Sequence, residues 1–411
     1  MKDKKKLDLA ALASIPLIMT LANSMLIPVL PLMRKELKIS AMQSSLIITV
    51  YAAISILCIP VAGYLSDRFG RKLIIIIGLS LAAVGGLVSG LSAWLLEQHA
   101  YALILVGRFI QGIGAAGAFP IVLPLVGDMF DSEEEVSSGL GMIETSNTFG
   151  KVVSPILGSA LALVVWFLPL AIIPVICLLS IAAVGFFVHA PKKKSKESDS
   201  KQMTVKTFIR NVKKILKQEG RWLYAIFAIG CFIMFIMFGF LYYLSSVLED
   251  DYGIDGIWKG VLLAIPLMAI CLASYAAGKI VGENKTRMKL LAGGGAVLTA
   301  AAMLICGLVN TNGIVFLLTL MFASGAGIGF ALPSLDALIT EGIEKKERGT
   351  ITSLYSSARF IGVALGPPIA SLIVKQDALL FYLFAGLSII SALLAVFIKL
   401  PDKAKRQPSN A

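Results

Sequence analysis

The sequence predicts an all-α integral membrane protein: twelve membrane-spanning helices in two repeated six-span halves. Three observations carry this reading. Of 411 residues, 57% are hydrophobic and only 15% are charged, and the mean hydropathy is +0.85; a soluble domain is nearer half apolar and about one quarter charged. The apolar residues also fall into about twelve long runs, and a helix needs roughly 20 residues to cross the hydrocarbon core. Finally, landmark glycines and prolines of the first half recur in the second at a nearly constant offset.

The first run covers residues 7–33, behind the basic segment Met1–Lys6. It is as long as a full span, so it reads as the first membrane helix and not as a cleavable signal peptide. The next five runs cover 43–66, 73–95, 101–126, 136–162 and 165–189. The last six cover 221–248, 257–282, 288–309, 313–340, 348–374 and 378–399. Loop charge orients them. Most Lys and Arg residues lie in the tails and in alternate loops, while the other loops carry little beyond Arg34, Lys35, Lys38, Lys259 and Lys375. Positive loops stay inside, so both termini are expected on the cytoplasmic side of the cell membrane.

Formal net charge is +12. The basic residues sit mainly between spans, where they set topology and meet anionic lipid. Membrane lipid, and not nucleic acid, is the partner this pattern indicates. The five cysteines, Cys58, Cys177, Cys231, Cys271 and Cys306, lie inside apolar runs with no C-x-x-C pair. They indicate neither a disulfide frame nor a metal site. His99 and His189 are the two histidines, one in a loop and one at a span end. No catalytic constellation and no cofactor motif emerges, so the chain reads as a non-enzyme without a cofactor.

Between the second and third runs lies Gly63-Tyr64-Leu65-Ser66-Asp67-Arg68-Phe69-Gly70-Arg71-Lys72. Gly63 and Gly70 suit close helix approach and left-handed backbone. Asp67 can accept from backbone amides or a guanidinium, and Arg68, Arg71 and Lys72 bring positive charge to the membrane face. An ordinary positive loop would need no such spacing. The decapeptide resembles the signature loop of the major facilitator superfamily of transporters, in its drug:proton antiporter branch. It matches the pattern G-x-L-x-D-R-x-G-R-K throughout.

The resemblance implies two six-helix bundles around a central cavity, with the site near the membrane midplane. It implies alternating access by rocking, and export of small amphipathic or hydrophobic compounds in exchange for protons. A monomer is the expected assembly. The loop residues are expected to act as a gate latch, with Asp128, at the end of span 4, as a further partner of Asp67 and Arg71.

In span 4, Gly112-Ile113-Gly114-Ala115-Ala116-Gly117 is formally a G-x-G-x-x-G motif. A nucleotide site needs a strand before it and a helix after it. Here the motif lies within an apolar run, so close helix packing is the better account. Gly112, Gly114 and Pro120 recur as Gly325, Gly327 and Pro333, offset by 213 residues. Arg108 opens the same span. A guanidinium there either faces a cavity or a carboxylate, or snorkels to the interface. The family resemblance implies a part in proton coupling.

Span 5 contains Gly150, Ser154, Pro155 and Gly158, similar to the antiporter-branch pattern G-x-x-x-G-P-x-x-G-G, with Ser154 and Ser159 replacing two glycines. Gly150, Ser154 and Gly158 share one face, and the resemblance gives them a packing role. Gly150 and Pro155 recur as Gly362 and Pro367, offset by 212. Lys151 is not demanded by that pattern. Glu144, Asn147 and Lys151 fall on one helix face. A buried acid, amide and base together suggest a proton or substrate site, or else a structural ion network. Glu144 is the expected proton carrier and Asp336 of span 10 the alternative.

Arg359 of span 11 can pair with Asp336. Asn23, Asn147, Lys151 and Arg359 are the polar residues expected at a substrate cavity. Span 7 adds Phe235, Phe238 and Tyr242 from an aromatic and methionine-rich stretch, which either lines a greasy pocket or supplies packing bulk.

Residues 1–189 and 221–411 are the expected bundles, joined by a cytoplasmic linker, 190–220. Pro191 to Lys201 looks solvated. From 204 to 218, Val205, Phe208, Ile209, Val212, Ile215 and Leu216 recur at helical spacing opposite Lys206, Arg210, Lys213, Lys214 and Lys217. That pattern predicts an amphipathic helix on anionic lipid. Two other readings stay open: a symporter or facilitator for a polar or anionic metabolite, and a lipid-handling membrane protein.

Overall fold

The computed structural model describes residues 3–96, 98–130, 133–189, 205–281, 284–309, 313–343 and 345–398, and every regular element among them is helical. Among the described residues, twelve helices are long and apolar enough to cross a membrane. In chain order they are spans 1 to 6, Leu7–Glu36, Ala41–Phe69, Arg71–Leu95, Ala100–Met129, Gly139–Val164 and Leu168–Phe187. Spans 7 to 12 are Gly220–Asp250, Gly256–Ile280, Lys285–Leu308, Ile314–Ile339, Ile351–Ile373 and Asp377–Phe397. An even number of spans places the start of span 1 and the end of span 12 on one face, called here the terminal face. The opposite one is the far face.

Glycine sets the helix contacts, and it does so twice. A side chain at Gly112 would collide with the Tyr51 carbonyl of span 2, and one at Gly114 with Gly78 and Ala82 of span 3. Their counterparts behave alike: Gly325 abuts the Pro266 carbonyl of span 8, and Gly327 abuts Gly295 of span 9. The G-x-G motif is thus a packing device, with its two glycines facing two different neighbours. Gly150 and Gly158 seat span 5 on Leu17 and Met25 of span 1, while Gly362 seats span 11 on Cys231 and Phe235 of span 7. Backbones approach this closely only where no Cβ intervenes.

Proline creates a second recurring feature. A proline has no N–H, so the carbonyl four residues earlier loses its helical donor. Neighbouring hydroxyls take its place. Ser245 of span 7 donates to the Ile27 carbonyl (3.1 Å), four residues before Pro31, where the Leu30 N–H of the 3-10 turn donates as well. Thr49 of span 2 donates to Ala364 (2.7 Å), four before Pro368. Ser357 of span 11 donates to Ile56 (3.4 Å), four before Pro60. Each of these three straps joins one half to the other. Ser274 to Gly329 (3.0 Å, before Pro333) and Ser154 to Lys151 (3.0 Å, before Pro155) do the same within a half.

Two spans are interrupted. Span 1 passes through a short 3-10 turn, Ile27–Val29, between its helical segments. Pro28 and Pro31 lie at this break. Span 6 breaks between Ala171 and Ile173, next to Pro169 and Pro174.

The linker differs from the sequence boundary at 220. One helix runs unbroken over Val205–Asp250, 46 residues, so span 7 continues through Gly220 into the linker. No proline stands between Val205 and Asp250 to stop it. The basic stretch within 190–204 and the side chains of 205–219 lie outside the described residues. All five cysteines are free thiols.

Candidate functional site

The far face is shut by ion pairs between the halves. Arg34, at the end of span 1, makes a bidentate contact with Asp250 at the end of span 7, both bonds 2.8 Å. Lys35 reaches Glu249 at 2.7 Å, and the other Glu249 oxygen takes Lys259 of span 8, also at 2.7 Å. The Lys259 and Glu249 side chains are 2% and 10% exposed. The Tyr242 hydroxyl donates to the Ala41 carbonyl at the start of span 2 (3.2 Å). Spans 5 and 8 touch near the same face, where Gly260 abuts Pro155 and Gly256 abuts Leu163.

Sequence reading passed over this closure because charges at span ends look like solvated loop charges. A signal was present. Arg34 and Lys35 end span 1, and the opposite charges Glu249 and Asp250 end its repeat counterpart, offset by 215 residues.

A pocket lies between the halves, lined by Ser24, Ile27 and Pro28 of span 1, Lys151 and Pro155 of span 5, Met237, Phe238 and Leu241 of span 7, and Leu263 and Leu267 of span 8. The interrupted part of span 1 forms one wall. On the other side of Lys151 stand the remaining charges. The Glu144 carboxylate is exposed and accepts from the Asn147 amide at 3.1 Å. Buried Asn147 itself accepts from Thr20 of span 1 at 2.6 Å. The guanidinium of Arg359 stands 3.6 Å from the Asp336 carboxylate and over the Tyr355 ring. Lys151 lies within electrostatic range of Glu144, Arg359 and Asp336, without a direct contact to any of them. The structure therefore gathers four ionisable residues from both halves, two acids and two bases. Glu144 differs from expectation in being exposed and not buried.

Arg108 is fully buried. It does not snorkel, and its hydrogen-bond partners are not carboxylates. Its guanidinium donates to the carbonyls of Ile47 (2.8 Å) and Ala22 (3.2 Å), and to the side chains of Gln111 (2.6 Å) and Asn23 (2.5 Å). It also lies over the Tyr51 ring at 4.4 Å. Five neutral groups thus share one cation, and they tie span 4 to spans 1 and 2. A planar fork of donors suits this many acceptors.

Three expected cavity residues are placed elsewhere. Asn23 is buried in the Arg108 cluster. Phe235 packs edge-on against Phe384 of span 12, inside the second half. Tyr242 belongs to the far-face closure. Aromatic content shows that a span is bulky but not which way each ring turns.

The signature loop holds together within the first half. Arg71 reaches Asp128 at 2.8 Å and Asp67 at 3.7 Å. Gly70 has φ +104°, a backbone suited to glycine. Gly63 is less constrained than expected, since a side chain there would meet Ser353 of span 11 only at ordinary contact distance. Arg68 lies over its neighbour Phe69. Lys72 caps span 6, donating to the Gly185 (3.0 Å) and Val188 (2.7 Å) carbonyls.

The profile described as Major Facilitator Superfamily matches residues 12–367 and 289–411. The chain belongs to the Major Facilitator Superfamily. Its substrate handling is that of a transporter and not an enzyme. A protein of Bacillus subtilis (strain 168) named "Bacillibactin exporter" is 52% identical over 392 residues, covering 95% of this chain and 96% of that protein. "Multidrug resistance protein 2" of the same organism is 23% identical over 382 residues, covering 91% and 90%. Among solved structures, a D-xylose-proton symporter superposes with TM-score 0.79 at 14% identity, covering 97% of this chain and 98% of the other. That last likeness concerns the fold alone.

Proposed function

We propose that the protein exports a small organic compound of the bacillibactin kind, by alternating access and in exchange for protons. One observation carries the export reading: the 52% identity, over almost the whole of both chains, to a protein named for exporting bacillibactin. The more distant multidrug relative supports efflux as the broader class. The positive-inside pattern supports a cytoplasmic terminal face. With the far-face ion pairs made, the site would then be closed to the outside and positioned to load from the cytoplasm. Glu144 is the proposed proton carrier, with Asp336 as the alternative, since both acids lie in the space where the halves meet. The signature loop would latch the cytoplasmic side when the far face opens.

The test uses cells that make bacillibactin but lack their own exporter. Expressing this chain should raise the compound in the medium and lower it inside the cells. The rise should collapse when the proton gradient is discharged. Unchanged internal and external levels, with the protein present in the membrane, would refute the reading.

A further inference from the structure

We infer that Lys151 is the anion seat of the central pocket, and that the pocket takes an amphipathic organic acid with its acidic head on Lys151 and its apolar body against spans 7 and 8. This deepens the export reading above and rests on it only for the direction of transport.

The argument begins with pairing. A charge inside a membrane protein is costly unless another group compensates it. Arg359 has Asp336 at 3.6 Å. Glu144 has the Asn147 amide at 3.1 Å. Arg108 has four hydrogen bonds. Lys259 has Glu249. Lys151 differs from all of these: among the described residues, its ammonium makes no hydrogen bond and no ion pair within 4.0 Å. Glu144 sits seven residues back on the same helix, about 10.5 Å along the axis, so its attraction is weak unless something bridges the gap.

Position supplies the second part. Lys151 stands at the edge of the pocket, with Pro155 one turn beyond it on the far-face side and Glu144 on the other. The pocket wall is otherwise apolar, Met237, Phe238, Leu241, Leu263 and Leu267, except for Ser24. The Ser24 hydroxyl likewise makes no hydrogen bond among the described residues. Lys151 at the edge of an apolar lining, with Ser24 the other polar side chain and no acid in it, describes a receptor for one negative head on a greasy body, filled when the halves part, since the cavity holds only about 10 Å³ in the closed arrangement seen here. Within that lining an organic cation would meet the ammonium and no carboxylate, since Glu144 and Asp336 stand outside it. A small polar ion would leave the apolar wall unused.

Binding to the full-length purified protein tests this with three probes of one body and different heads: naphthalene-2-sulfonate, naphthalene-2-sulfonamide and naphthylmethylammonium. Titration calorimetry in detergent should place the sulfonate about tenfold tighter than the neutral sulfonamide, as one charged hydrogen bond would give, with the ammonium weakest. Lys151→Met should abolish the preference for the sulfonate over the sulfonamide, and a melting temperature equal to wild type shows that the variant is folded. Lys151→Arg should keep the order. The inference is overturned if wild type binds the three alike or prefers the cation, or if Lys151→Met keeps the sulfonate preference. None of these readings depends on transport, so a failure of bacillibactin export in cells is a separate result.

Discussion

Thr49 and Ala364 are joined across the two halves by a hydrogen bond of 2.7 Å, made to a carbonyl that Pro368 has left without a helical donor. Removing the hydroxyl strands a buried acceptor, so Thr49→Val should weaken the far-face-closed state by about 1 kcal/mol. That is roughly a fivefold change in population. Distances between spin labels on the far-face ends of spans 2 and 11 should report more separated pairs. An unchanged distance distribution would show that the strap does not hold the halves.

Glu249 serves two lysines from one carboxylate. Glu249→Gln should leave Lys259 buried without its counter-charge, a loss of about 3–5 kcal/mol for a buried pair broken on one side. The far face should open. A cysteine placed at Val247, buried near the same end of span 7, should then react much faster with a membrane-impermeant thiol reagent. A rate equal to that in the Glu249 background would reassign the closure to the hydroxyl straps.

At the signature loop, Asp67→Asn should lower transport in proteoliposomes more than it lowers expression. Gly70→Ala tests the fold instead, since φ +104° there should cost a side chain about 1–3 kcal/mol. Its signature is a lower melting temperature with transport per folded molecule retained. Equal damage to both properties in both variants would mean that the loop is only structural.

Glu144→Gln should abolish proton-driven accumulation and leave counterflow, because a glutamine keeps the Asn147 contact but carries no titrating proton. Should the variant still concentrate substrate under an imposed pH difference, the role passes to Asp336, and Asp336→Asn should then show the loss.

The twelve spans were legible because membrane crossing needs length and apolarity, and both are local properties of the chain. The glycine contacts were legible for a related reason. Gly112, Gly114 and their counterparts stand in a pattern that sequence repeats, and close approach admits no larger residue. The partners of the proline-freed carbonyls were not legible. Pro368 marks Ala364 as a spare acceptor, but nothing near it in the chain points to Thr49, 315 residues away. The direction of Phe235 and Tyr242 was hidden for a different reason, since rings on one helix can face a core, a pocket or a partner with the same composition. Lys151 stood out at once because a membrane span seldom carries a lysine at its middle.

The three straps between the halves have a consequence for the working cycle. Two of them, to Ala364 and Ile56, use a neutral hydroxyl and a carbonyl whose helical donor a proline has removed, so separation of the halves exposes acceptors that only water can then satisfy. Opening of the far face therefore consumes water at fixed points, much as a reaction consumes a substrate. The turnover of the protein acquires a dependence on water activity: an osmolyte too large to enter the cleft should slow the opening step without touching a single residue.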